Sequence, residues 1–392
     1  MSPTLDRRSF LIAGSLTALA SSRAFGANDK LRLGIIGAGG RMRSLIDAAE
    51  KSAPCEIVAV SDVYAPRRDA VKDHTQGLAS THLDYHEVLA KDIDAVLIAS
   101  PDHWHVRMAA DALAAGKDVY LEKPVTHTLE EGAILTHAVR SSKQILQCGM
   151  QQRSWTHFRD AVEIIQGGTL GRITQVRTYW WQNYHRNWAS GAKPIDTAAL
   201  DWKLWLGGAP DQPFSDEKYA HWRWFWNFGG GAMTDLFAHW IDVVHWAMKA
   251  DTPTTAHFLG DKYIFDQWDC PDTIQAAFRY PGFDVVYEGN MSSNIDDGGL
   301  EFRGTEATLK INRSGFSIYR EGIPATENPV ISAHSFIDGT ITHMTNFFDC
   351  IKNRKDPNAP VEAGVAAARA GHIGNRAYKN GGQTTWPPKS AV

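Results

Sequence analysis

Asp235, His239, Asp242 and Trp246 recur at intervals of four, three and four residues, the spacing that stacks side chains on one face of an α-helix. A carboxylate one turn from an imidazole is suited to moving a proton, because an unperturbed imidazole titrates at about 6.5. The helix that must carry them runs from Gly231 to Met248 and is entered through three glycines, Gly229 to Gly231. Lys123 is a second candidate. In DVYLEKPVT, Glu122-Lys123-Pro124 closes a β-branched strand, which presents the lysine at the carboxyl edge of a sheet, where ligands bind in parallel α/β folds. Gly37 and Gly39 stand where the apolar run LRLGIIGAGG gives way to a helix, so that backbone amides and a helix N-terminus can meet a pyrophosphate.

The third glycine position of that loop holds Met42, with Gly40, Arg41 and Arg43 around it. Asp62 ends the next strand, 23 residues beyond Gly39. A carboxylate there accepts hydrogen bonds from ribose hydroxyls and repels a 2′-phosphate, which favours NAD over NADP. Arg67 and Arg68 keep the phosphorylated form open. The Gly37–Met42 loop and Asp62 together describe a dinucleotide site, with Lys123 at the carboxyl edge of the same sheet.

The elements that position these residues repeat as strand, helix, strand at about 30-residue intervals from Leu31 to Ser100, a parallel α/β pattern. We therefore expect a Rossmann domain over residues 27–150. Residues 151–340 alternate at period two in ITQVRTYWW, DTIQAAFRY and FDVVYEGN, with Pro281-Gly282 as a tight turn between the last two. This predicts an α+β domain with a largely antiparallel open sheet and a helical excursion from 196 to 250. Residues 341–392 read as helices returning to the first domain. Ten of the fourteen tryptophans lie between Trp180 and Trp246. Aromatic walls with a few polar groups suit a carbohydrate pocket, and Arg153, Tyr184, His185 and Arg186 are polar members of the inferred rim.

Four segments taken together, GIIGAGGRM, SPDHWH, EKP and GGGAMTDLFAHWIDVVHW, resemble the Gfo/Idh/MocA oxidoreductases, the group of glucose-fructose oxidoreductase and inositol dehydrogenase. The resemblance implies that Lys123 hydrogen-bonds the hydroxyl being oxidised, that His239 takes its proton, and that Asp235 binds substrate or orients the pair. It also implies that Pro101 and His105 line the nicotinamide side, that Ser100 and Glu122 are among the cofactor-binding residues, and that the Lys123–Pro124 peptide bond, often cis in the family, is fixed by the proline. Trp104 adds aromatic surface there, while Asp102 is either a helix cap or a substrate contact. No metal is required, and the bland reading of His245 is a core histidine.

Forty basic and forty-four acidic side chains give a net charge of −4, which carries no footprint for nucleic acid. The four cysteines form no CxxC pair and read as reduced thiols. Residues 1–26, with Arg7-Arg8 before an apolar stretch from Phe10 to Ala20, look like a twin-arginine export signal, and that stretch is too short to span a bilayer. A periplasmic or otherwise exported location follows, and export of a folded, cofactor-loaded protein implies a tightly held NAD. The expected activity is hydride transfer between a ring carbinol of a sugar or glycoside and that NAD. A redox-neutral cleavage through a transient 3-keto sugar and a non-catalytic sugar-binding protein are the alternatives. Homo-oligomerisation through the open sheet is a further expectation, with no membrane span in the mature protein.

Overall fold

The computed structural model describes residues 30–188, 191–295, 297–324, 329–335 and 339–387. The export signal expected over residues 1–26 lies outside them.

Six strands, β1 (Leu31–Ile36), β2 (Cys55–Ser61), β3 (Ser80–His82), β4 (Ala95–Ile98), β5 (Asp118–Leu121) and β6 (Leu146–Cys148), form one sheet in the order β3-β2-β1-β4-β5-β6. Every pairing in it is parallel. β4 and β5 are buried along their whole length, as a parallel strand covered on both faces must be, and this is why they read as unbroken apolar runs. Helices α1 (Gly40–Ser52), α2 (Ala65–His74), α3 (Tyr85–Leu89), α4 (Asp102–Ala114) and α5 (Glu131–Ser141) supply the crossovers. The reversal of strand order falls between β1 and β4, which puts a crevice at their carboxyl ends.

The second sheet has nine strands. They are β7 (Ile173–Trp181), β8 (Thr255–Asp261), β9 (Thr273–Tyr280), β10 (Phe283–Asn290), β11 (Gly298–Gly304), β12 (Ala307–Asn312), β13 (Gly315–Arg320), β14 (Ile331–His334) and β15 (Gln383–Thr385), in the order β14-β13-β12-β11-β7-β10-β9-β8-β15. All neighbours are antiparallel except β7 and β10. Pro281-Gly282 closes the β9–β10 hairpin, and Gly282 takes φ +90°, a conformation that glycine adopts without steric cost.

On the covered side lie α6 (Thr156–Gln166) and a pair of helices where one was expected. Gly231–Met248 divides into α10 (Gly231–Asp235) and α11 (Phe237–Met248), after the short α7 (Tyr184–Trp188), α8 (Trp202–Leu206) and α9 (Asp216–Ala220). His239 N–H donates to the Leu236 carbonyl at 3.2 Å, a tight three-residue step that starts a new helix at Phe237. The expected single face from Asp235 to Trp246 is thereby split, with Asp235 on one helix and the other three residues on the next.

Of the closing helices, α12 (Gly339–Asn353) returns to the first domain, where Met344, Phe347, Phe348 and Ile351 share a core with β1 and α1. By contrast α13 (Val361–Lys379) packs against α11 and β8 as well as α5, and β15 after it joins the second sheet. Thr126 and Asn375 mark this position: His372 of α13 meets Thr126, and Asn375 donates to the Gly230 carbonyl at 2.8 Å. Among the described residues, no helix is long and apolar enough to cross a membrane.

Candidate active site

A cleft of about 490 Å³ opens at the carboxyl ends of β1, β2 and β4. Gly37 and Gly39 form its floor, Asp62 and Arg67 one end, and Ser100, Pro101 and Trp104 a wall. Gly37 holds φ +79°, and a Cβ there would lie 2.9 Å from the Ala99 carbonyl oxygen. No other residue fits. Gly39, by contrast, has room for a side chain, with the Arg67 guanidinium in ordinary contact 3.7 Å from a notional Cβ. A glycine that must be bare and an apolar cleft above it form a cradle of the size and chemistry a dinucleotide requires.

Asp62 is buried, and both of its oxygens are in use: Oδ2 accepts from Ala38 N–H at 2.7 Å and Oδ1 from Tyr64 N–H at 2.9 Å. The carboxylate thus holds the glycine loop to the end of β2. Its remaining lone pairs are those available to ribose hydroxyls. Arg67 approaches Asp62 Oδ2 at 3.9 Å, and Arg68 donates to its backbone carbonyl. Met42 fills the core beneath the loop, fully buried. Its side chain faces away from the cleft, so its expected role in binding reduces to its place in the backbone of α1. Arg41 donates to Glu122 Oε1 at 2.7 Å, and Glu122 Oε2 accepts from Lys123 N–H at 3.1 Å. The glycine-loop helix is therefore tied directly to the strand end that carries the lysine.

The peptide bond between Lys123 and Pro124 is cis. Lys123 Nζ reaches the second domain, 2.5 Å from Asp235 Oδ1 and 3.0 Å from the Asp235 carbonyl. Arg223 Nε donates to the same Oδ1 at 3.2 Å. Burial alone would raise the Asp235 pKa, but the charges of Lys123 and Arg223 outweigh it and hold the carboxyl below its ordinary range. Asp235 is the anion of the centre.

His239 stacks on Trp180, with ring centroids 5.6 Å apart, and its Nδ1 lies 3.3 Å from Gln152 Oε1. With Nδ1–H donating to that amide, Nε2 carries the lone pair, and it has no bond partner among the described residues. Burial, and then the positive charges of Lys123, Arg313 and Arg41, push the imidazole pKa well below 6.5. A neutral ring with a free nitrogen beside a lysine is a proton acceptor. Asp102 completes the cluster. The carboxyl is buried at the first turn of α4, its Oδ1 has no hydrogen-bond partner among the described residues, and burial followed by the nearby Asp235 raises its pKa.

Three expected site residues are committed elsewhere. His105 is buried, with Nδ1 2.6 Å from the Pro124 carbonyl and Nε2 2.9 Å from the Ser100 carbonyl. A neutral imidazole donates to only one of these, and burial keeps the ring neutral down to about pH 4. His105 therefore bolts the β4 end to the cis-proline loop. Arg153 pairs with buried Asp242, Nη2 to Oδ1 at 2.7 Å, and covers Trp246 at 5.4 Å, so its guanidinium is spent inside the fold. His185 is exposed, edge-on to Phe265.

Trp104 lines the cofactor cleft and donates to the Trp205 carbonyl at 2.9 Å. Tyr184 is buried, stacked on Trp188 with ring centroids 4.1 Å apart and edge-on to Trp224. Burial and then the Asp235 charge raise its pKa, against the opposing effect of Arg223. Ser100 Oγ is buried without a hydrogen-bond partner among the described residues. Arg223 and Gln152 were not anticipated. Only the isolation of a cation within HWRWFWNFGGG hinted at the first, and nothing in the sequence marked the second.

The family comparisons agree with this construction. Residues 31–150 match the model of the Gfo/Idh/MocA oxidoreductase family with an NAD-binding Rossmann fold, and residues 205–310 match that of the GFO/IDH/MocA C-terminal domain. An uncharacterized oxidoreductase, YrbE of Bacillus subtilis, is 34% identical over 139 residues, 35% of this chain and 40% of its own. The rhizopine catabolism protein MocA of Rhizobium meliloti is 26% identical over 236 residues, 60% of this chain and 62% of its own. The matched region thus spans less than two thirds of either relative. A levoglucosan dehydrogenase solved with NADH and levoglucosan superposes with a TM-score of 0.74 at 19% identity, covering 92% of this chain and all of that one. With both domain models matched in order and the Lys123, Asp235 and His239 cluster between them, this chain belongs to the Gfo/Idh/MocA oxidoreductase family and carries its NAD-binding Rossmann domain.

Proposed function

We propose that this protein oxidises and reduces a ring carbinol of a sugar or glycoside, using NAD that it does not release between turnovers. The observation that carries the reading is the convergence of Lys123, Asp235 and His239 from two domains, beside the dinucleotide cleft. Bound NAD supplies the two-electron acceptor and donor. Lys123 donates a hydrogen bond to the substrate oxygen and stabilises its alkoxide character, while Asp235 fixes the ammonium in place. His239 Nε2 takes the hydroxyl proton, and Gln152 holds the tautomer that leaves this nitrogen free. Aromatic rings around the centre and a structural neighbour solved with a sugar support a carbohydrate substrate.

Retention of the cofactor is supported by a wall that the second domain supplies. Leu204, Trp205, Gly207 and Gly208 line the cleft opposite the glycine loop. Their segment is anchored where Asp201 N–H donates to the Val63 carbonyl at 3.0 Å and Leu200 bridges Tyr64. Export through the twin-arginine route is part of the same proposal, because a protein outside the cytoplasm has little free NAD to draw on. Under this reading a redox-neutral glycoside cleavage is a second outcome of the same machinery. Oxidation next to a C–H bond acidifies it, and the base that takes this proton is unassigned, with Tyr184 and His185 the first candidates for substitution.

The test is a screen of sugars and glycosides against purified protein with no added dinucleotide, with keto-sugar and free aglycone followed by mass spectrometry. Many turnovers per protein are expected where the hydride taken from one carbinol is returned to a second, carbonyl-bearing sugar supplied in the screen or to the same ring after cleavage, and NAD should be released on denaturation. Turnover that stops at one equivalent unless fresh NAD is supplied would replace the closed cycle with a plain dehydrogenase.

A further inference from the structure

Arg223 lies in the 3₁₀ turn Trp222–Trp224, immediately before the glycine-rich entry to α10. Gly229 seats that turn: a Cβ at Gly229 would fall 2.9 Å from the Arg223 Cα and carbonyl oxygen. Two contacts then fix the side chain and a third holds its backbone. Its guanidinium lies 4.3 Å from the centre of the Trp222 ring, its Nε donates to Asp235 Oδ1, and its backbone is clamped by Gly229. What is left unspent is the edge bearing the two NH₂ groups, which bond no other described residue. The Arg223 side chain keeps 37% of its exposure, against 12% for Lys123 and 9% for Asp235. It is the most accessible cation of the centre.

Lys123 Nζ and Arg223 Nε meet at a single oxygen, 2.5 and 3.2 Å from it. Two donors that converge on one acceptor atom are close enough together to take two neighbouring oxygens of one ligand. Arginine offers only donors, in a rigid planar fork, and the Nε of Arg223 is already taken by Asp235, which Lys123 shares. The two NH₂ groups are left to donate directionally to ligand oxygens, which on the sugar proposed above are hydroxyls. Stacking on Trp222 holds the plane in one orientation at little entropic cost.

We propose that Lys123 and Arg223 together read a vicinal pair of oxygens on the sugar, Lys123 on the hydroxyl being oxidised and Arg223 on the hydroxyl of the adjoining carbon. This rests on the oxidoreductase reading above and goes beyond it by naming the residue that selects the substrate. Arg223 takes no proton and no electrons. It binds, orients and discriminates, so a sugar lacking the adjoining hydroxyl is turned over poorly because a donor edge is left without its partner.

The experiment compares the best substrate from the screen, whose oxidised carbon is located by product analysis, with its two analogues deoxygenated at the neighbouring carbons. Wild type, R223A and R223Q are assayed, with bound NAD and circular dichroism as readouts of the folded site. The expected result is a loss in kcat/KM of roughly 10- to 100-fold for one deoxy analogue with wild type. That loss should collapse to within about threefold in both variants, and most of the variants' defect on the parent sugar should lie in KM. R223Q, which keeps a polar planar group, carries the comparison if R223A does not fold. A wild-type penalty that persists in the variants, or wild-type indifference to both analogues, overturns the vicinal clamp and leaves the oxidoreductase standing. A wild type that oxidises no carbinol overturns both.

Discussion

Lys123 Nζ lies 2.5 Å from Asp235 Oδ1, a contact between residues 112 apart that joins the end of β5 to α10. The lysine belongs to the cofactor domain and the aspartate to the substrate domain, so the reacting group is held only while the two are docked. Lys123→Met is expected to lower turnover by about 10² to 10⁴ with the fold and the bound dinucleotide retained. His239→Ala should do the same through loss of the proton acceptor. Rapid-mixing kinetics with circular dichroism check both, and near-wild-type turnover in either well-folded variant removes that residue from the mechanism.

Asp62 anchors the glycine loop through Ala38 and the β2 end through Tyr64. Asp62→Ala should therefore weaken NAD binding by about 10- to 100-fold, the cost of charge-assisted hydrogen bonds. It should also narrow the preference for NAD over NADP, since Arg67 and Arg68 remain beside the vacated carboxylate. Titration calorimetry with both dinucleotides measures this. An unchanged preference would show that Asp62 acts on the loop alone.

Gly207 holds φ +56°, and a Cβ there would fall within 2.2 Å of the Trp104 indole. Gly207→Val must therefore push the segment bearing Leu204 and Trp205 off the cofactor cleft. Faster loss of NAD on dialysis is the expected outcome, with the sugar KM much less affected. Retention equal to wild type would show that this wall does not govern cofactor release.

Buried histidines set the acid limit of the fold. Burial lowers the pKa of His103, His105, His343 and His372 to about 4, and that of His245 to about 3. Their unfolded counterparts titrate near 6.5, so below that pH the unfolded chain binds protons the folded one refuses. Stability should be fully present above about pH 6.5 and fall as pH drops from there toward 4, by roughly 1 kcal/mol per histidine per pH unit at its steepest. Denaturant midpoints measured from pH 8 to pH 4 test this, and a flat profile across that range would contradict it.

Motifs that act through their own backbone were legible in the chain. The positive-φ turn at Gly37, the Asp62 strand end and Lys123 before a proline are marked by residues adjacent in the chain, and β1, β2, β4 and β5 announce themselves as apolar runs, whereas the short polar β3 does not. Pairings between distant residues were not legible. α11 is buried on nearly every side, so its spacing could not show that Asp242 turns to Arg153 while His239 turns to the centre, or that the helix restarts after Leu236. His105, Gln152 and Arg223 acquire their roles from partners 12 to 87 residues away. The sequence by itself determined which chemical groups this protein has and on which strand ends and helices they sit. Which of them face one another was decided by packing within each domain and, for Lys123 and Asp235, by the docking of the two domains, because a hydrogen bond between residues distant in the chain depends on a separation that only packing sets.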